Sequence, residues 1–355
     1  MNKVHNFSAG PCILPQEVLQ EASMAATNFD NLGLSILEIS HRSKSFVAVM
    51  TEAQNLVREM LTIPDDYDVL FLQGGASLGF LISAYTMKEE GKSAQYLDTG
   101  SWSKKAIKEA KLIQKVNVLA SSSDSNYSYI PKDYEIPVDG SYLHFTSNNT
   151  IFGTQYKTFP KSEIPLVADM SSDIFSRKLN VSDFELIYAG AQKNLGPAGS
   201  TIYIVKKETL EKISAGTPSM LNLQIQAAKE SMFNTPPVFS IYVAMLNLRY
   251  MLKNGGLSHY ETLAKTRADM IYGEIDRNEL FEGTCAIEDR SNMNTTFFLK
   301  DESYKERFDS LLTDAKISGL NGHRSVGGYR ASMYNALPIE SVEIVIDCMK
   351  KIENY

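Results

Sequence analysis

Between Val69 and Val205 the chain sets down six short apolar runs with strand character: Val69–Leu72, Gln95–Leu97, Tyr142–Phe145, Leu166–Ala168, Leu186–Ala189 and Thr201–Val205. Each gives way to turn residues or to a stretch of helical periodicity. Continuous apolar runs separated by helical crossovers are what a mostly parallel sheet requires, because helices then cover both faces. The alternation therefore restricts the fold to the α/β class. In such sheets ligands gather at the carboxyl ends of the strands, so the residues that follow each run are the first place to look for chemistry.

Outside this region the pattern changes. From Ser45 to Leu61 the residues Phe46, Val49, Met50, Ala53, Leu56, Val57 and Met60 recur at helical spacing, which predicts an amphipathic helix over one face of the sheet. Val238–Leu252 is apolar almost all round, as a helix in a core or at a subunit interface is. Asn254-Gly255-Gly256 then breaks the chain and marks a domain boundary. Beyond it the spacing predicts a helix from about Tyr260, a strand at Thr295–Leu299, a helix at Glu302–Lys316 and a last helix after Pro338, together a smaller α/β unit. Two units suit a length of 355 residues, which exceeds the usual size of one core. Ser121–Ser125 reads as a short polar loop, and no internal repeat is visible.

Composition narrows the function classes. With 43% hydrophobic and 22% charged residues the chain is an ordinary globular one. A net charge of −7 disfavours nucleic acid as a partner, since phosphate-backbone binding needs a basic face. An anionic small substrate would need arginines and histidines focused into a cleft against that field. The amino-terminal residues have no apolar signal region, and no window approaches a membrane span, so a cytoplasmic protein is expected. Cys12, Cys285 and Cys348 lack the spacing of a zinc or redox site; no metal is expected, and the thiols read as reduced and inert.

Four features carry chemistry. Gln73-Gly-Gly-Ala-Ser77 joins a strand to the apolar helical stretch Leu78–Met87; glycines let the backbone approach an anion and a helix start offers free N–H groups, so a phosphate could sit on Ala76 and Ser77. A plain tight turn would use the same residues, and the spacing matches neither a dinucleotide fingerprint nor a P-loop. Tyr188-Ala-Gly-Ala-Gln-Lys193-Asn-Leu-Gly-Pro197 delivers one lysine from a strand into small residues, where partial desolvation lowers its pKa and makes it a usable amine nucleophile, as a Schiff-base lysine must be. Leu166-Val-Ala-Asp169 ends a strand in a carboxylate that could face a protonated pyridine nitrogen, or could equally cap a turn. Trp102, the single tryptophan, follows Asp98-Thr-Gly and could stack on a planar ring or fill a core. Finally, His41-Arg42, His323-Arg324 and Arg330 suit a substrate with an anion at each end, although surface salt bridges would use the same residue types.

Taken together, Asn6-Phe-Ser-Ala-Gly-Pro11, Ser40-His-Arg42, Gln73–Ser77, Tyr188–Pro197, Asn234-Thr-Pro-Pro237 and His323–Asn335 resemble the phosphoserine aminotransferases, class-V pyridoxal-phosphate enzymes of fold type I. The match runs nearly end to end. The resemblance implies a mostly parallel central sheet, with a large cofactor domain over 16–255 and a small domain made of 1–15 and 256–355. It implies that Lys193 holds pyridoxal 5′-phosphate, that Asp169 partners the pyridine nitrogen, and that Trp102 stacks on the ring. Thr150 would bond the phenolic oxygen. Ala76, Ser77 and Gln192 would cup the phosphate, with Asn234 and Thr235 contributed by the second subunit of a homodimer. Arg330 would hold the substrate α-carboxylate, while His41, Arg42, His323 and Arg324 would surround the distal phosphate or carboxylate. The implied reaction exchanges an amino group between glutamate and 3-phosphohydroxypyruvate, with a phosphorylated hydroxythreonine as a further substrate.

The chain departs from the family pattern in places. Some members carry arginine where Ser77 stands, Ser40-His-Arg-Ser-Lys-Ser45 lacks the common Gly and Glu after the arginine, and Asn149 replaces a frequent glutamate. These changes bear on loop mobility and substrate preference. Rival readings are another class-V enzyme, such as an alanine–glyoxylate aminotransferase or a cysteine desulfurase, and a cofactor-binding scaffold without turnover. A desulfurase would need a cysteine in a mobile Gly/Ser-rich loop, and a scaffold has no use for substrate arginines.

Overall fold

The computed structural model describes residues 4–354. Along the chain, β1 (His5–Asn6), α1 (Gln16–Thr27) and α2 (Lys44–Leu61) precede β2 (Tyr67–Gln73), α3 (Gly75–Thr86), β3 (Ala94–Asp98), α4 (Ser101–Ala110) and β4 (Val116–Ser121). Four strands follow, β5 (Leu143–Thr146), β6 (Leu166–Asp169), β7 (Leu186–Gly190) and β8 (Ser200–Lys206). Short helices α5 (Lys207–Leu210) and α6 (Leu223–Ala227) lead to the long α7 (Val238–Lys253) and α8 (Gly256–Arg277). The chain closes with β9 (Phe281–Gly283), β10 (Asn294–Leu299), α9 (Lys305–Asp314), β11 (Ile317–Ser318), β12 (Tyr329–Ser332) and α10 (Ile339–Ile352).

Seven strands form one sheet in the order β2-β8-β7-β6-β5-β3-β4. The pairs from β7 to β4 are parallel, and β8 runs antiparallel to both of its neighbours. On one face α2 and α7 pack through Phe46, Val49, Ile241 and Leu248 onto Phe145, Ile187 and Ile204. The opposite face carries Tyr96, Tyr142, Tyr188 and Tyr203 beneath α3 and α4. Burying each such apolar side chain stabilises the fold by about 1.5–3 kcal/mol. Helix α2 starts where the Ser43 hydroxyl accepts the Phe46 amide (3.3 Å) and ends at Thr62 in the left-handed region, so its sequence supplies both boundaries.

A second core gathers Ile271, Phe281, Phe297, Phe308, Val342 and Met349 around the antiparallel sheet β9-β10-β12. Phe7 belongs to it, because β1 pairs in parallel with β11. The amino-terminal segment then crosses to the large sheet, where the Cys12 amide donates to the Gln192 carbonyl (3.1 Å).

Three local expectations need correction. Ser121 closes an edge strand, β4, and the polar loop begins after it. The segment from Glu302 is a 3-10 turn followed by α9, which stops at Asp314 because Lys316 takes a left-handed conformation (φ 57°). Helix α8 begins at Gly256, ahead of Tyr260.

Candidate active site

The site is built at the carboxyl ends of β5, β6 and β7, where the strands hand over to loops. Past β7 the turn after Gly190 buries Lys193, whose Nζ donates to Thr150 Oγ1 at 2.8 Å. Thr150 comes from the loop beyond β5, whose Phe152 carbonyl accepts from Thr296 Oγ1 (3.0 Å) and Cys285 Sγ (2.7 Å) in and beside the small sheet. Desolvation brings the Lys193 ammonium down to about 8, opposed by the nearby Asp169 carboxylate and assisted by Arg330. Roughly a tenth of the amine is therefore neutral at pH 7, far more than for a solvated lysine.

Asp169, the last residue of β6, is buried. Ser171 donates to its Oδ1 twice, from the amide (3.0 Å) and the hydroxyl (2.6 Å), while the same hydroxyl accepts the Gly190 amide (3.1 Å). Both bonds fall on Oδ1, and among the described residues Oδ2 accepts none. Burial raises the Asp169 pKa, against the Ser171 hydrogen bonds and Lys193, which lower it. Asp173, the other acid of this segment, is committed to structure: it accepts from Ser147, from Gln155 (3.2 Å) and from Arg177 (2.8 Å).

Trp102 stands in the first turn of α4, with Lys193 Nζ 5.8 Å from its ring centroid. Its indole N–H is buried without a partner. Arg330 on β12 reaches the Thr150 carbonyl at 3.4 Å through Nη1, and its Nε is buried and unpartnered. Burial lowers the Arg330 pKa.

The Gly74-Gly75 turn, with φ of 112° and 66°, starts α3 with no side-chain cap, so its first amides are free. Gly190 explains how this terminus faces the lysine turn. A side chain there would run into Gln192 Oε1 at 2.8 Å and the Ala76 amide nitrogen at 3.4 Å, so the space beside those two groups exists only because residue 190 is glycine.

Not every expected residue joins this cluster. Asn234 and Thr235 are exposed ahead of α7, and among the described residues no hydrogen bond ties them to Ala76, Ser77 or Gln192. Arg42 is exposed and His41 Nε2 is buried without a partner, again with no bond to the Lys193 group. The single chain brings together Lys193, Thr150, Asp169, Trp102, Gln192, Ala76 and Arg330. His323 and Arg324 occupy the loop before β12, where the His323 Nδ1 accepts the Ser325 amide (3.2 Å). Burial, then the charges of Arg330, Arg324 and Lys105, lower the His323 pKa.

Sequence reasoning missed three members of this neighbourhood. Lys105 places Nζ 4.4 Å from the Trp102 centroid, and its helical spacing from Trp102 was a readable signal. Cys12 donates its thiol to the Lys193 carbonyl (2.6 Å), and burial pushes that thiol up to about 12. Tyr334 donates to the Ala9 carbonyl (2.8 Å) and lies beside Thr150. The last two are long-range encounters that no local pattern announces.

The profile of the class-V aminotransferases matches residues 4–345. Phosphoserine aminotransferase of Flavobacterium psychrophilum is 57% identical over 353 residues, covering 99% of each chain. The chain belongs to the phosphoserine aminotransferase family. Among solved structures, the phosphoserine aminotransferase from Bacillus circulans subsp. alkalophilus superposes with a TM-score of 0.96 at 42% identity, over 100% of this chain and 99% of that one. The pyridoxal-phosphate-bound phosphoserine aminotransferase from Trichomonas vaginalis gives 0.94 at 37% identity, over 98% and 100%.

A class-V aminotransferase works with pyridoxal 5′-phosphate, and the residues fit that group. A buried lysine amine of lowered pKa, a carboxylate with one oxygen to spare, an indole and an uncapped helix start match its aldehyde, ring nitrogen, ring face and phosphate. Among the described residues no cluster of acids, cysteines and histidines could hold a metal ion, and no helix is long and apolar enough to cross a membrane.

Proposed function

We propose that this protein transfers an amino group reversibly between L-glutamate and 3-phosphohydroxypyruvate, yielding O-phospho-L-serine and 2-oxoglutarate. The observation that carries the proposal is the buried Lys193 amine, held by Thr150 and flanked by Asp169 and Arg330. When bound, pyridoxal phosphate supplies a carbonyl that condenses with amines and a ring that accepts the electron pair freed at the substrate α-carbon.

The chain's own residues do the rest. Lys193 Nζ takes the proton from the α-carbon and returns it on the cofactor side, and Thr150 Oγ1 fixes the position of that nitrogen. Asp169 would keep the ring nitrogen of the bound group protonated, and Trp102 would support the ring. Ala76, Ser77 and Gln192 would receive the phosphate at the start of α3. Arg330 binds the α-carboxylate, and His323 and Arg324 meet the distal anion. His41, Arg42, Asn234 and Thr235 complete the site from the second copy in a homodimer, which accounts for their separation from Lys193 within one chain. Residues 16–255 act as the cofactor domain and 1–15 with 256–355 as the small one, in a cytoplasmic enzyme of serine biosynthesis. The gathering of guanidinium and imidazole groups favours this reading over an alanine donor or a scaffold, neither of which brings a distal anion.

An absorbance titration of the loaded protein tests the reading. O-phosphoserine and glutamate should shift the cofactor's visible band, and serine and alanine should not. A response to alanine as large as that to O-phosphoserine would overturn the substrate assignment. O-phospho-4-hydroxythreonine belongs in the same titration as a further phosphorylated substrate. Lys193→Ala should abolish turnover with the fold intact, and appreciable transamination by that variant would sink the lysine's role.

A further inference from the structure

The cations of the site include one that the family resemblance did not supply. Lys105 lies one helical turn beyond Trp102 on α4, with Nζ 4.4 Å from the indole centroid, and Lys193 Nζ is 5.8 Å from the same ring. From that ring a short path of contacts leads through Lys193 and Thr150 to Arg330. Arg330 in turn is held near His323 by the closed turn of the preceding loop, where the Gly322 amide donates to the Gly328 carbonyl (2.8 Å) and Asn321 bridges Tyr329. The charges of Arg330, Arg324 and Lys105 all bear on His323.

Among the described residues, none of Lys105, Arg324 and Arg330 has a carboxylate ion-pair partner. Other cations of the protein do pair, for example Arg290 with Asp276 at 2.6 Å and Arg277 with Glu274 at 2.7 Å. In a chain of net charge −7, three neighbouring cations without a carboxylate counterion repel one another until an anion arrives.

Resting on the transaminase reading above, we propose that Lys105 is a specificity-determining residue that contacts the distal anion of the substrate and favours a phosphate over a carboxylate. The chemistry separates the two. A phosphate monoester carries nearly two negative charges at neutral pH, against one for a carboxylate, so an added point charge acts more strongly on the phosphate. Lysine on a flexible stem follows either anion, whereas the arginine fork is fixed in geometry. The stem also packs on Trp102, which keeps the ammonium close to the site.

The test uses the cofactor-loaded enzyme with Lys105→Met, which keeps an unbranched stem on the indole and removes the charge, and Lys105→Arg, which restores it. For Lys105→Met the kcat/KM for O-phosphoserine should fall about fivefold, mostly through KM. Glutamate should lose less, and competitive inhibition by inorganic phosphate should weaken in parallel. Lys105→Arg should recover most of the loss. Equal losses for O-phosphoserine and glutamate would make Lys105 a support for Trp102 and overturn the proposal, as would no loss at all. Failure of the underlying transaminase reading is distinguishable, since the unsubstituted enzyme would then show no preference for O-phosphoserine over alanine.

Discussion

Lys193 works because its surroundings disagree about its charge. Burial favours the neutral amine, Asp169 favours the ammonium, and the balance settles at about 8. The ammonium cannot attack a carbonyl and the amine can, so cofactor capture by the apoenzyme should speed up as pH rises through about 8 and then level off. Stopped-flow mixing with pyridoxal phosphate across pH would show it. Removing the opposing carboxylate in Asp169→Asn should move that midpoint to lower pH, because the Asp169 charge holds the lysine pKa up; a midpoint that stays put would mean the two groups are not electrostatically coupled. Ser171 is the lever on the acid itself. With the Ser171 hydroxyl removed in Ser171→Ala, the carboxyl loses a hydrogen bond that lowers its pKa, so its proton affinity should rise, which a carboxyl-resolved NMR titration would register.

At the level of elements, the decisive spacing is between α3 and β7. Gly79, mid-helix and buried, sits so close to Tyr188 that an added Cβ would lie 2.7 Å from the ring. The ring cannot swing aside freely: its hydroxyl is hydrogen-bonded to His144 Nε2 at 2.8 Å, and His144 is stacked on Tyr96 with centroids 4.7 Å apart. Burial pushes His144 down to about 3, so the imidazole stays neutral and keeps this bond across the working pH range. Gly79→Ala should therefore lift the start of α3, costing about 1–3 kcal/mol of stability as overpacking does. Affinity for pyridoxal phosphate should drop more than affinity for pyridoxal, which lacks the phosphate. Equal drops for the two would separate the helix start from phosphate binding.

This scale also shows what the sequence made legible. The buried strands could be read because they are apolar on both faces, and Asp169 and Lys193 stood out because one ends such a strand and the other lies in the turn just past one. β4 escaped notice because it is a half-buried edge carrying Asn117 amid Val116, Val118 and Leu119, a pattern that neither alternates nor runs continuously. β12 escaped because Tyr329-Arg-Ala-Ser332 is short and takes its register from Asn294–Phe297, far away in sequence. His41 and Arg42 stood out by residue type, but nothing local could say that one chain leaves them apart from Lys193; Asn234 and Thr235 came from the resemblance alone, which already assigned them to a second subunit.

Across the whole molecule, two cores meet along a cleft of about 500 Å³ lined by Asn126, Ser128 and Phe152 on one side and by Gly283, Phe298 and Val326 on the other. The loop carrying His323 and Arg324 forms part of that wall through Ser325 and Val326. Phe7 contributes to the second core from the far amino-terminal end, fully buried. Phe7→Ala should cost about 3–5 kcal/mol and should appear in calorimetry as a lower transition temperature. If the segment couples the second core to the lysine turn, the same variant should also lose cofactor more readily; unchanged cofactor retention would mean that the two ends of the segment act independently.

The amino-terminal segment also sets an order of events during synthesis. Its first strand pairs with Ile317 and Ser318, and a few residues later it covers the backbone of Gln192 and Lys193. β1 thus cannot pair until Ile317 and Ser318, far along the chain, have been made. Until then the segment that covers the backbone of Gln192 and Lys193 is anchored at one end only.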